Sequence, residues 1–379
     1  MKKEVLRKRV RRNRRVAFLQ NCAKVSICVA VALLIVTAGW KAAKPFVKKT
    51  SVSTDAETGV TVLEVQAGTN NLEDGSGDAA KIALADGQRA ASTVPGWQVD
   101  SKGWWYAADN QSCYANGWLT IEEQRYHFGS DGYMDTGWKA IGGEGYYFEE
   151  DGIYNAEKDK SKMIALTFDD GPGPYTNTLL DVLEQNGARA TFFMQGINVE
   201  RYGADTIPRM ASLGCTIGNH SYDHPNLKAG GAEVAQQQFD QTDALIAQYN
   251  NGVGAAVVRF PFGEYTRTLA ANTGRSCWFW NVDTLDWKTK NVQSNISAVL
   301  DNAEGGQIVL MHDIHETTVT ACQTIIPELK NRGFELVTVQ ELAASRGYEA
   351  EAGVTYYGFT DRNIENNTVT DRSRSDIAD

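Results

Sequence analysis

Two strings in this chain could do chemistry: Thr167-Phe168-Asp169-Asp170-Gly171-Pro172 and His220-Ser221-Tyr222-Asp223-His224. The first sets adjacent carboxylates on a Gly-Pro turn after the apolar run Met163 to Phe168. The second sets two imidazoles four residues apart. Two His and one Asp make an open metal site, and a spare Asp beside the ligand can act as a base. Each string alone has a plainer reading. Asp-Gly-Pro is turn chemistry, and His-x-x-x-His is often a surface coincidence. Two His with one carboxylate is also the iron oxygenase triad, but that triad reserves no base or acid. Together the strings contain the parts of a metal-dependent hydrolase.

The elements that must position these residues begin near Ser161. Apolar runs at 163–168, 189–194, 214–218, 255–259, 277–282, 307–311 and 334–338 read as strands. Amphipathic stretches such as 176–185, 232–248 and 318–331 read as helices. Strand–helix alternation predicts an α/β fold, a distorted (β/α) barrel of about seven parallel strands. The polar motifs then fall at the C-terminal strand ends, where barrel active sites sit. Asp169-Asp170 follow the first strand and His220 the third. Arg259-Phe260-Pro261-Phe262-Gly263 ends the fourth, Asp283-Thr284-Leu285-Asp286-Trp287 follows the fifth, and Leu310-Met311-His312-Asp313 ends the sixth.

These five ordered blocks, spanning 161–346, resemble the polysaccharide deacetylase family, carbohydrate esterases with a NodB-like domain. The resemblance implies that Asp170, His220 and His224 hold one divalent metal ion, zinc first, with cobalt, manganese and nickel as alternatives. It implies that Asp169 is the general base, kept ionised by Arg259. His312 is then the general acid, held cationic by Asp286. Trp287 and Leu310 would wall the acetyl pocket, and the backbone N–H of Phe262 would help hold the oxyanion. Phe262 stands where the family often has Tyr, and Phe260 where it often has Pro. Asp283, Asp313 and His315 read as capping or loop-stabilising residues.

Upstream, Gly-Trp recurs at 96–97, 117–118 and 137–138. Aromatic triplets follow at 104–106, 126–128 and 146–148. A short fixed period marks a repeat array, and each unit reads as a β-hairpin with a tight turn. The segment 96–156 resembles the choline-binding and related cell-wall-binding repeats of Gram-positive surface proteins. That resemblance implies aromatic cages for choline-bearing teichoic acid, or a stacking surface for glucan, with Trp97, Trp105, Trp118, Tyr126, Trp138 and Tyr146 as candidates. Inter-repeat packing is the competing role for each ring. His127 replaces an aromatic and reads as a packing residue. All proposed catalytic residues lie beyond 161, so catalysis is expected to be independent of the repeats.

Charge divides the chain. Residues 1–15 hold nine Lys/Arg and one Glu, and the remainder carries 28 basic and 46 acidic residues. An acidic body argues against nucleic-acid binding. The basic end precedes the uncharged run Val25 to Gly39, so 16–40 reads as a transmembrane anchor with the chain after Trp40 outside the cell. A cleaved signal peptide, leaving a secreted wall-bound protein, is the alternative. Residues 41–95 read as a linker. Six Cys (22, 28, 113, 215, 277, 322) show no disulfide framework. Residues 347–379 read as a polar tail, with Val354 to Phe359 available to pack on the barrel. The combined expectation is a surface enzyme that removes N-acetyl groups from cell-wall polysaccharide, peptidoglycan N-acetylglucosamine first. Alternatives are a chitin-like oligosaccharide, an exopolysaccharide, O-acetyl xylan, or a non-catalytic binding protein.

Overall fold

The computed structural model describes residues 52–54, 61–63, 75–85, 88 and 95–373. The expected basic segment 1–15 and membrane segment 16–40 lie outside them. Among the described residues no helix is long and apolar enough to cross a membrane. The chain divides into two units, Met1–Gln66 and Ala67–Asp379. In the first, β1 (Val52–Thr54) and β2 (Thr61–Leu63) pair antiparallel.

The second unit opens with the hairpin array. Strand β3 (Ala80–Ala83) belongs to a four-stranded sheet with β4 (Gly96–Val99), β5 (Trp104–Ala107) and β6 (Ser112–Ala115), in the order β3-β6-β5-β4. Two further hairpins follow: β7 (Gly117–Ile121) with β8 (Gln124–Phe128), and β9 (Gly137–Ile141) with β10 (Glu144–Phe148). The linker expected at 41–95 is therefore corrected at both ends, since β1, β2 and β3 all lie within it. The reason at β3 is packing. Leu84 is buried with Trp105, Ala107 and Cys113, while β3 covers the otherwise open edge of β6.

The catalytic half is built on nine parallel strands: β11 (Met163–Asp169), β12 (Thr191–Met194), β13 (Thr216–Asn219), β14 (Val257–Val258), β15 (Cys277–Trp278), β16 (Val282–Asp283), β17 (Ile308–His312), β18 (Glu335–Leu336) and β19 (Thr355–Tyr356). The order is β16-β17-β11-β12-β13-β14-β15-β19, with β18 on the start of β11. Every residue of β11 is buried, as expected for a parallel strand with both faces covered. The count of about seven strands is corrected to nine for two reasons.

First, the single strand expected at 277–282 is two. Cys277–Trp278 pair towards β14 and β19, and Val282–Asp283 towards β17. Between them the carbonyls of Trp278 and Phe279 accept hydrogen bonds from the Arg259 guanidinium at 2.7 and 2.9 Å. A side chain thus takes two acceptors that a continuous ladder would use, and the bent segment joins the two ends of the sheet. Second, the segment expected as a tail enters the sheet as β19. Tyr356 stacks on Trp278 with centroids 4.8 Å apart, and Val354 and Phe359 share its apolar cluster. Asp371 fastens the following turn, accepting from Tyr265 Oη and from the backbone N–H of Thr355.

Helices Thr176–Gln185, Gly196–Ser212, Leu227–Tyr249 and Glu316–Asn331 cover the sheet. The third begins earlier than the pattern at 232–248 because Asn226 caps Ala229 N–H, and it breaks at Gly231. The short helix Val339–Ser345 starts with a capping box between Thr338 and Glu341.

That short helix also receives the third hairpin. Trp138 is buried in one cluster with Val339, Leu342 and Ala343. A Cβ on Gly145 would stand 2.1 Å from the Ser345 carbonyl oxygen, and one on Gly347 2.0 Å from that of Gly143. Only glycines allow this approach. The hairpin array is therefore seated on the catalytic half. Trp138→Ala is expected to destabilise the catalytic half itself by ~3–5 kcal/mol, read as a lower unfolding midpoint followed by a probe in that half. An unchanged midpoint would mean that the hairpin merely rests there.

The four cysteines among the described residues, Cys113, Cys215, Cys277 and Cys322, are buried and free.

Candidate active site

The site is assembled by strand ends. Asp169 and His312 are register partners on β11 and β17, so two groups distant in sequence stand side by side. Asn219 ends β13, and His220 follows it directly. Between Asp169 and His312 opens a cavity of about 430 Å³, lined among others by Asp170, His220, His224, Phe262, Trp287 and Leu310.

One wall of the cavity fits a divalent metal. Asp170, His220 and His224 place one ligand atom each within 4.8 Å of one another. His220 Nε2 and His224 Nε2 each lie 3.7 Å from Asp170 Oδ1. His220 Nδ1 is 2.8 Å from the Arg259 carbonyl oxygen. A carbonyl only accepts, so Nδ1 carries the proton and Nε2 keeps its lone pair for a ligand bond. Burial, then the neighbouring His220, lower the pKa of His224, which favours the neutral form a metal needs. Burial works against charge on Asp170, yet His220, His312, His224 and Gln195 together hold its carboxyl below the usual range.

Asp169 faces the same space and is held from behind. Arg259 Nη1 donates to Asp169 Oδ1 at 2.7 Å and to Thr167 Oγ1 at 2.8 Å. The guanidinium is fully buried, lies 4.1 Å over the Phe193 ring, and spends its other donors on the carbonyls of Trp278 and Phe279. A buried cation held by four hydrogen bonds fixes its carboxylate partner in one orientation.

Across the cavity, His312 Nδ1 pairs with Asp286 Oδ1 at 2.8 Å, leaving Nε2 for the cavity. Asp286 Oδ2 accepts from the backbone N–H of His312 at 2.8 Å and from Thr318 Oγ1 at 2.7 Å. Burial favours the neutral imidazole, but the hydrogen bond and charge of Asp286, with Asp169 and Asp170 behind it, push the His312 pKa up to about 9. A proton donor at neutral pH is the result. If the protonated form is the active one, activity is lost as pH rises through that value. Asp286→Asn should move this alkaline limb down by roughly one to two pH units towards an ordinary histidine. A kcat–pH profile checks it, and an unmoved limb would separate Asp286 from the titrating group.

Backbone in the left-handed region clusters here: Asp170, Ser221, His224, Phe262 and Leu285 have φ of 71°, 71°, 62°, 60° and 54°. Non-glycine residues adopt it at a cost, and sites that need a fixed side-chain direction are where that cost is tolerated. The Phe262 ring is exposed and meets His224 edge-on at 4.3 Å.

Several positioning residues escaped the sequence reading. Gln195 Nε2 donates to Asp170 Oδ1 at 2.6 Å, and Asn198 Nδ2 to the Asp170 carbonyl at 2.7 Å. Gln195 directly follows β12, so the strand-end rule applied to the second strand would have found it. Asp313 is fully buried and accepts from Thr176 Oγ1, which also receives the Gly173 N–H. It ties the loop after Asp170 to the strand carrying His312.

The repeat rings are less uniform than expected. Trp105, Trp118, Tyr126 and Trp138 are buried, while Trp97 and Tyr146 are half-buried. Trp105 is sealed in the first hairpin core and Trp138 against the catalytic half, so neither is an open cage wall. Both units bury rings because a short hairpin has no other core. His127 is buried, with Nδ1 on Asp135 at 2.6 Å and Nε2 on the Gly75 carbonyl at 2.9 Å.

With this geometry in hand, sequence comparison places the chain. The signature described as polysaccharide deacetylase matches residues 156–276, and that described as choline-binding repeat matches 115–153. The peptidoglycan-N-acetylmuramic acid deacetylase PdaC of Bacillus subtilis is 38% identical over 182 residues, covering 48% of this chain and 38% of the relative. The peptidoglycan-N-acetylglucosamine deacetylase PgdA of Listeria monocytogenes is 38% identical over 203 residues, covering 53% and 42%. A peptidoglycan-N-acetylglucosamine deacetylase of Bacillus cereus is 36% identical over 194 residues, covering 48% of this chain and 89% of the relative. The chain belongs to the polysaccharide deacetylase family. It spans less than half the length of the first two relatives.

Proposed function

We infer that this chain is a metal-dependent hydrolase that removes N-acetyl groups from cell-wall polysaccharide, releasing acetate and a free amine. Peptidoglycan N-acetylglucosamine is the first substrate to test. The observation that carries the reading is one cavity with a His-His-Asp cluster, an arginine-held carboxylate on one side and an aspartate-held imidazole on the other. Relatives named as peptidoglycan deacetylases support the substrate class, and the repeats support attachment to the wall outside the cell.

Asp170, His220 and His224 would hold the ion, zinc first. When bound it supplies Lewis acidity towards the amide carbonyl and towards water. Asp169, aimed by Arg259, accepts the proton of the attacking water. The backbone N–H of Phe262 donates to the oxygen that becomes negative as water adds to the carbonyl carbon. Trp287 and Leu310 enclose the acetyl methyl. An amine leaves only when protonated, so His312 Nε2 delivers its proton to the nitrogen as the C–N bond breaks. Asp286 and Thr318 keep that imidazole turned the right way. Acid and base have opposite duties, and their neighbours differ to match: a cation behind Asp169, an anion behind His312.

Acetate release from soluble N-acetyl-glucosamine oligomers tests this reading. Activity should vanish on chelation and return with a stoichiometric divalent ion. Full turnover in the chelated protein would contradict it.

A further inference from the structure

The three hairpins share one ladder position at which they differ completely. Antiparallel register pairs Val99 with Trp104, Thr120 with Arg125, and Ala140 with Gly145. Trp104, Arg125 and Gly145 are therefore equivalent. Gly145 is the residue that lets the third hairpin close on the catalytic half. Trp104 is 48% exposed, edge-on to Trp97 at 6.3 Å. Arg125 does something else.

The Arg125 guanidinium carbon lies 4.3 Å from the Trp118 ring centroid and 5.8 Å from that of Tyr154. Trp118, Tyr146 and Tyr154 surround one another, with centroids 5.1, 5.3 and 5.6 Å apart. Two of these rings, Trp118 and Tyr154, lie under the guanidinium and Tyr146 packs against both; electron-rich ring faces beside a cation are what takes a quaternary ammonium group. Here the cation comes from the chain. Among the described residues no carboxylate pairs with Arg125, so the ring faces are its electrostatic counterpart. The side chain is exposed on its outer side, so it covers the rings like a cap. The preceding cage offers the contrast. Trp97 meets Tyr106 at 5.2 Å and Tyr126 at 4.9 Å, and among the described residues no Lys or Arg lies over these rings.

We propose that Arg125 is an internal occupant of the aromatic cage between the second and third hairpins and excludes external organic cations from it. The position held by Trp104, Arg125 and Gly145 then sets what each hairpin does: an uncapped cage, a self-filled cage, a docking face. A second bound cation beside Arg125 would meet like charge at short range and would first have to displace the guanidinium. The inference rests on reading the repeats as ligand-binding elements, but its test does not require wall binding or catalysis.

The test is choline titration of the full chain, purified in a detergent without a choline headgroup and followed by tryptophan fluorescence. Arg125→Gln should gain a choline site that the wild type lacks, at least about tenfold tighter than any response of the wild type at that cage. Adding Trp118→Ala should remove the gain. Arg125→Lys should keep the cage closed, because an ammonium can take the same place. Arg125→Ala serves as the second opening variant, and because the side chain is exposed both should unfold at the wild-type temperature. The proposal is overturned if correctly folded Arg125→Gln and Arg125→Ala bind choline no better than the wild type. It is equally overturned if the wild type binds choline and Trp118→Ala alone abolishes that binding. Sedimentation with purified walls reports on the other reading. Failure of the wild type to sediment, with Arg125→Gln still gaining choline, would sink wall attachment and leave the filled cage standing.

Discussion

His220→Ala is expected to remove bound metal and turnover together. His220 is buried, its Nδ1 is tied to the Arg259 carbonyl, and its Nε2 faces Asp170 and Asp169 at 3.7 and 3.6 Å. Alanine takes away one of three ligands and leaves two close carboxylates with less cation between them. Metal analysis should show far less than one ion per chain, and acetate release should fall to the level of the chelated wild type. His224→Ala should behave likewise. A variant retaining stoichiometric metal and full turnover would place the metal elsewhere.

Asp169→Asn is expected to keep the metal and lose ~10²–10⁴-fold in kcat, the range for removing a general base. The structure adds a second consequence. Arg259 is fully buried and, among the described residues, its only anionic partner is Asp169. Breaking such a pair typically costs ~3–5 kcal/mol, because the remaining charge has nowhere to go. Here the bonds to Thr167 and to the carbonyls of Trp278 and Phe279 soften the loss. The variant should therefore melt lower than the wild type, and kinetics belong well below its midpoint. Metal content separates the two effects. Loss of the ion together with activity would make Asp169 a ligand and overturn the division of labour between the two aspartates.

Arg259 also shows what the sequence made legible and what it did not. The strand-end position of Asp169, His220, Arg259, Asp286 and His312 could be read from apolar runs followed by polar motifs. Most of these runs are short and buried, with Gly or Pro within a few residues. The break at Phe279–Asn281 could not be read that way, since its cause is a guanidinium from twenty residues earlier taking the local carbonyls. Nor could β19. Val354 to Phe359 could be read as a run that packs on the barrel, but its place in the sheet depends on Trp278, whose ring stacks on Tyr356. Gln195 was missed because a lone amide carries no chemical signature until a carboxylate is placed before it. Ring identity in the repeats was plain, but ring exposure depends on neighbours: Trp138 is buried by the helix Val339–Ser345 and Trp118 is capped by Arg125. Removing residues 96–156 would uncover the apolar face of that helix, so the expected independence of catalysis from them is to be measured well below the unfolding midpoint of the shortened chain.

The most direct measurement of the central claim is mass spectrometry of purified peptidoglycan treated with this protein and digested to its disaccharide units. Fragments lacking one acetyl group on N-acetylglucosamine are expected, appearing only with metal present and not with Asp169→Asn. Fragments unchanged by the metal-loaded protein, while acetate is released from some other polysaccharide, would contradict peptidoglycan as the substrate. Fragments unchanged with no acetate released from any N-acetylated glycan would contradict the deacetylase itself.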